Sequence, residues 1–250
     1  NQELRALGRI HNYQQFLESY HMAREAGFSN INIDLMFAIP GQSYEGWIQN
    51  LRTVAKLGPE HISAYSLIIE EGTPFSARKL DLPDEDTEYR MYEDVAAVLG
   101  KYGYYQYEIS NYAKKDRNCR HNEGYWQRKD YLGLGLGAAS LVGRERFTNT
   151  SDMSEYLENS GNLEKIRTDR ETLTREDEMG EFMFLGLRMM QGVSVSEFQI
   201  LYGHLIEEIY GSVLNKWQNT GYLTRQNGYI RLTEKGIDVS NVIMADFLLD

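Results

Sequence analysis

The densest concentration of reactive side chains in this sequence is Cys119-Arg120-His121-Asn122-Glu123-Gly124-Tyr125-Trp126. It combines an imidazole and two aromatic rings with Arg120, inside a stretch from Lys114 to Asp130 that carries several further cations. Those are the elements that hold a flat anionic macrocycle: an axial nitrogen for a central iron, apolar planes for the ring, and positive charges for peripheral carboxylates. A solvated basic loop is the alternative. A second feature is Asp34, a lone carboxylate inside Ile-Asn-Ile-Asp-Leu-Met-Phe. A carboxylate in an apolar strand needs either a ligand's donors or a neighbouring cation. The run Gly133-Leu-Gly135-Leu-Gly137-Ala138 invites comparison with a phosphate-binding loop, but it lacks the Lys-Ser/Thr ending, and close backbone packing explains it better. Cys119 is the single cysteine, so these residues form neither an intrachain disulfide nor a thiolate-rich metal site.

Periodicity indicates the elements that position these groups. A helical pattern over 13–26 stops at Gly27. Asn32, Asp34 and Met36 then alternate with Ile31, Ile33, Leu35 and Phe37 as a strand. Ser43 caps a second helix that ends at Gly58-Pro59, and a strand follows over 61–68. Pro83-Asp84-Glu85-Asp86 opens a third helix closed by Gly103, and 104–110 form the third strand. Strands separated by helices predict βαβ units, hence parallel strands with right-handed crossovers and ligands outside their carboxyl ends. A three-stranded sheet leaves an open edge, so further βα units are expected before Asn1. Residues 148–174 read as a polar connector with a short helix after Ser154. A helix after Thr174, a capping box at Ser194 to Glu197, a helix over 205–220 and a hairpin around Gln226-Asn227-Gly228 predict a small winged-helix module.

Composition narrows the classes. With 42% apolar and 25% charged residues, the 250-residue chain is an ordinary globular one. No apolar run reaches membrane-spanning length and no signal-peptide core is present, which predicts a cytoplasmic protein. The net charge is −11, and residues 148–250 carry 9 basic against 17 acidic side chains. That acidic half argues against nucleic-acid binding by the winged helix. The exception is a basic island from Lys114 to Asp130, which contains His121.

Several motifs together are recognisable. Leu7-Gly8-Arg9-Ile10-His11, Asn30 to Phe37 with Pro40-Gly41-Gln42, Pro59-Glu60-His61-Ile62-Ser63-Ala64-Tyr65-Ser66-Leu67 and Glu71-Gly72-Thr73-Pro74 resemble the HemW family of radical-SAM haem chaperones. Gln106-Tyr107-Glu108-Ile109-Ser110-Asn111 and the His-Asn-x-x-Tyr-Trp motif at His121 to Trp126 match the same family. The latter motif separates it from coproporphyrinogen dehydrogenase, HemN. The resemblance continues through Leu232-Thr233-Glu234-Lys235-Gly236 and Ser240-Asn241.

The resemblance implies an α/β fold: the C-terminal part of a partial (βα)6 radical-SAM barrel resembling a TIM barrel, followed by a small α+β winged-helix-like module. The implied division is 1–147 for the barrel portion with the haem-motif loop, 148–174 for a connector and 175–250 for the module. It implies S-adenosylmethionine at Arg9 and Asp34, and a haem motif of His121, Asn122, Tyr125 and Trp126, with His121 as candidate iron ligand. Family members hold a [4Fe–4S] cluster through an amino-terminal Cys-x-x-x-Cys-x-x-Cys segment that has no counterpart here, and their Gly-Ala-His-Ser stretch has Ala139 in place of His. The implied function is binding of haem b and its delivery to acceptor haemoproteins, with S-adenosylmethionine and the cluster bound by a longer parent protein. A homodimer and peripheral membrane contact are compatible with it. The alternative is an oxygen-independent coproporphyrinogen III oxidase, so whether the parent is an enzyme stays open, and the 250 residues alone are expected to be inactive.

Overall fold

The computed structural model describes residues 1–249, which form two compact units, Asn1–Cys119 and the chain from Arg120 onward. This division falls ahead of His121, whereas the family resemblance placed a boundary after 147.

In the first unit, α1 (Gln2–Ala6) and α2 (Tyr13–Glu25) precede β1 (Asn32–Phe37), α3 (Tyr44–Leu57), β2 (His61–Ser66), α4 (Glu85–Gly100), β3 (Tyr105–Glu108) and β4 (Asn111–Ala113). Local chemistry sets the boundaries. Asn12 and Gln15 form a reciprocal capping box at the start of α2, Ser43 accepts from the Gly46 amide, and Asp84 accepts from Thr87. Gly58 ends α3 in the left-handed region, at φ 74°. β1 and β2 pair in parallel across α3, as the periodicity predicts. One face of this pair packs Ile33, Phe37 and Ile62 against Trp47, Leu51, Met91, Val95 and Leu99 of α3 and α4. The Trp47 indole donates to the Met91 carbonyl at 2.8 Å within that core.

The third expected strand requires correction. The sheet order is β1-β2-β4-β3, with β4 antiparallel to both neighbours, so β3 lies at the edge and does not pair with β2. The cause is Glu108. Its buried carboxylate accepts from the Ser110 amide at 3.1 Å and from the Asn111 side chain, folding the chain back within two residues. Alternating hydrophobicity cannot reveal a reversal that short.

The second unit begins with α5 (Arg120–Trp126), followed by β5 (Ala139–Val142), β6 (Glu145–Asn149), α6 (Met153–Asn159), α7 (Leu163–Ile166) and β7 (Arg167–Thr172). β5, β6 and β7 form an antiparallel sheet. The expected connector over 148–174 therefore contains the short helix, now capped by Asp152, but also one strand and the end of another. Then come α8 (Arg175–Gly186), β8 (Val193–Ser194), α9 (Val195–Tyr202), α10 (Ile206–Asn219), β9 (Leu223–Gln226), β10 (Tyr229–Leu232), α11 (Glu234–Asp238) and α12 (Ser240–Ala245). The sheet order β8-β10-β9 and the turn at Asn227-Gly228 are those of a winged helix. Ser194 caps α9 through the Glu197 amide alone; the reciprocal box occurs at Thr174 and Asp177 instead.

Candidate functional site

Two groups of expected residues lie in different units. In the first, Gly8 adopts φ 70° and turns the chain out of α1, and the Arg9 amide donates back to the Leu4 carbonyl. This brings Arg9 to a cavity of about 340 Å³ that it shares with Asp34, Tyr65 and His11, between apolar walls that include Ile33 and Leu35. The register of β1 and β2 sets Asp34 opposite Ser63 and Met36 opposite Tyr65. Burial pushes the Tyr65 phenol up; the Asp34 charge adds to the shift and the Arg9 charge opposes it.

Glu3 fixes the neighbourhood. Its carboxylate accepts from Gln42 at 3.0 Å and from Asn50 at 2.7 Å, tying α1 to the Pro-Gly-Gln turn and to α3. Sequence reasoning missed Glu3 and Tyr65. The alternation over 61–68 carried a signal for Tyr65, because β2 residues two apart share the face that holds Asp34's partner. No local pattern marks Glu3.

Asp34 itself requires a correction. It is exposed on the cavity side of β1, so no burial cost demands a permanent cation, and Asn32 donates to it at 2.7 Å. A cation, a carboxylate and apolar walls in a cavity of this size fit an amino acid joined to a nucleoside, whose carboxylate, amine and hydroxyls need these partners.

The second group is not in a loop. His121 to Trp126 lie in α5, so His121 and Tyr125 share one face, with ring centroids 4.7 Å apart and nearly perpendicular. Tyr131 continues the edge-to-face series at 4.7 Å from Tyr125. The His121 imidazole is solvent-exposed, and its nitrogens make no hydrogen bond among the described residues. The other histidines are placed differently. His61 is buried with both nitrogens engaged, His11 lines the first cavity, His21 packs on Tyr20, and His204 lies near Glu208.

Trp126 is separated from this ladder. The Arg188 guanidinium lies 4.3 Å from its ring centroid, and Trp126 lines a different cavity of about 360 Å³ with Phe182, Met189 and Tyr229. The motif thus combines an accessible imidazole and phenol with a structural indole; Asn122 is half-buried beside them. The basic island is divided as well. Arg128 is held by Glu178 and Glu181, and Lys114 donates to the Gly58 carbonyl, whereas Arg120 and Lys129 stay exposed.

An exposed imidazole beside an aromatic ring, with exposed cations nearby in sequence, fits an axially ligated macrocycle. The residues present do not fit an iron–sulfur cluster: Cys119 is the single thiol, and no three metal-ligating side chains converge among the described residues. The glycine run is a packing device. The Gly133 amide donates to the buried Ser140 hydroxyl, Asn149 donates to the Gly135 carbonyl, and a Cβ on Gly133 would overlap the Ala139 carbonyl. Ala139 opens β5.

The arrangement defines a class: the α/β portion of a radical-SAM fold joined to a winged-helix module. A solved structure described as coproporphyrinogen III oxidase (HemN), a radical SAM enzyme from Escherichia coli, matches 99% of this chain and 61% of its own length, with a TM-score of 0.83 and 21% identity. The model of the HemN C-terminal domain matches residues 173–239. The chain is 35% identical to the haem chaperone HemW of Bacillus subtilis over 98% of its length, and 34% identical to that of Lactococcus lactis over 100%. It belongs to the HemW family. It spans 66% of the length of both relatives, about two thirds.

Proposed function

We propose that the protein is a haem chaperone of the HemW type, which binds haem b and passes it to acceptor haemoproteins. The observation that carries this reading is His121: an accessible imidazole with uncommitted nitrogens, packed on Tyr125 inside the His-Asn-x-x-Tyr-Trp motif. A chaperone must release its cargo, and an exposed single ligand on a short helix suits release better than a closed pocket. Tyr125 offers an apolar edge to the macrocycle, and Arg120 and Lys129 offer charge to its propionates. Trp126, held against Arg188, anchors the helix that carries the ligand, and Asn122 belongs to the same motif.

Arg9 would hold the carboxylate of S-adenosylmethionine and Asp34 its amine or hydroxyls, in the cavity beside Tyr65. The sulfonium nucleoside supplies a methyl or adenosyl group when bound; the role of these residues is to bind and orient it. The [4Fe–4S] cluster belongs in this reading to the longer parent protein. The expected setting is cytoplasmic, and no helix among the described residues is long and apolar enough to cross a membrane. Self-association as a homodimer and peripheral membrane contact at the site of haem hand-over complete the reading.

Titrating haem into the protein should give a shifted Soret band, and His121→Ala should weaken binding by about tenfold or more, the equivalent of about 1.4 kcal/mol. Unchanged binding by the variant would remove His121 from the assignment. The second reading, coproporphyrinogen III oxidation, is favoured by the fold shared with HemN. It requires carbon dioxide release from coproporphyrinogen III by the cluster-loaded parent protein, and absence of turnover counts against it.

A further inference from the structure

A chain of hydrogen bonds crosses the cavity side of the first unit's sheet and ends on Asp34. Asn32 Nδ2 donates to Asp34 Oδ1 at 2.7 Å. Asn32 Oδ1 lies 2.6 Å from His61 Nδ1 and accepts from the Ser63 hydroxyl at 3.2 Å. His61 Nε2 lies 2.8 Å from the Tyr107 hydroxyl, whose oxygen accepts the Cys119 amide at 3.3 Å. His61 is 4% exposed and Tyr107 5% exposed, so the bond between them is shielded from water, while the Asn32 and Asp34 end of the chain is open to solvent.

The chemistry of the partners gives the chain a direction. A carboxylate only accepts, so Asn32 must turn its amide nitrogen to Asp34 and its oxygen to His61. Turned the other way, its oxygen would face the carboxylate and repel it. His61 must then donate from Nδ1, which leaves a lone pair on Nε2 for the Tyr107 O–H. This is the less common tautomer of a free imidazole side chain, and Tyr107 holds it.

We propose that His61 is a positioning residue for the Asp34 carboxylate, acting through Asn32 and kept in its Nδ1–H tautomer by Tyr107. One carboxylate oxygen is thereby engaged and the other is presented to a ligand's amine or hydroxyl. An exposed carboxylate without this support would rotate among several orientations, and ordering it would weaken each binding event. The proposal rests on the assignment of the Arg9 and Asp34 cavity to S-adenosylmethionine.

Two measurements on the full chain test it. Long-range proton–nitrogen NMR of the wild type should show His61 protonated at Nδ1 and bare at Nε2; the opposite tautomer overturns the proposal whatever binds. Calorimetry with S-adenosylhomocysteine should show His61→Ala weakening binding by about three- to tenfold, the value of one hydrogen bond. His61→Asn places an amide nitrogen near the position of Nδ1 and should restore it, which a purely space-filling role would not allow. If the wild type binds and His61→Ala binds equally, His61 positions nothing, and the cavity assignment survives. If the wild type does not bind, the cavity assignment falls and the proposal falls with it.

Discussion

His61 and His121 show how far environment separates two copies of one side chain. His61 is enclosed between Asn32 and Tyr107, and burial pushes its imidazole below the ordinary value of 6.5, with the Asp34 charge opposing. Its neutral form is therefore favoured in the folded state. In the unfolded chain the imidazole takes up a proton near 6.5, so the unfolded state binds more protons just below that pH. Stability from this group is full above about pH 6.5 and falls as the pH drops through the window beneath it. Urea denaturation at pH 7.5 and pH 5 should show this loss in the wild type and a smaller one in His61→Gln. Equal losses would place the proton uptake elsewhere. His121, with no such enclosure, is exposed and makes no hydrogen bond among the described residues. The sequence singled out His121 because of its neighbours Tyr125 and Trp126. It gave no hint of the His61 chain, because Asn32, His61, Tyr107 and Cys119 meet only across strands.

Among the elements, those with capping chemistry and long periods were legible: α2, β1, α3, β2, α4 and the helices and hairpin of the winged-helix module lie where periodicity and caps put them. The misread ones are short. α5 has seven residues with Gly124 inside, so it reads as a loop, yet its helical geometry pairs His121 with Tyr125 and turns Trp126 toward Arg188. β4 depends on the buried turn at Glu108, and β7 is a polar strand with no hydrophobic alternation. The glycine run supplies a test at this scale. Gly133→Ala drives a Cβ into the Ala139 carbonyl and Ala138, neither of which can yield without moving β5. Such overpacking should cost about 1–3 kcal/mol. Gly124→Ala enters open space on a helix and should instead stabilise by about 0.5–1 kcal/mol. Thermal melts that rank the two variants the other way would refute the packing account.

For the whole molecule, charge argues against a nucleic-acid contact by the winged helix. The net charge is −11, and the cations on and around α10 are engaged: Lys216 pairs with Asp246, and Arg225 pairs with Glu207. Counterion release from phosphates, the main source of nucleic-acid affinity, therefore has few side chains to drive it. A titration of duplex DNA at low salt should show no tight binding by the protein. Submicromolar affinity with a steep salt dependence would reverse this reading and make the module a nucleic-acid contact.

By itself the sequence determined the family, the βαβ start, the winged-helix end and the chemistry of the candidate site residues, because these depend on local spacing, capping and side-chain type. It also placed the basic island around His121. Only the tertiary structure decided which of those residues share a site. Strand pairing sets Asp34 opposite Ser63 and brings Met36 to Tyr65, a turn at Gly8 returns Arg9 to the same cavity, and Arg128 of the island is withdrawn into a pair with Glu181. The physical reason is that register, burial and ion pairing join residues tens of positions apart. Spacing along the chain carries no record of such contacts until the chain has folded.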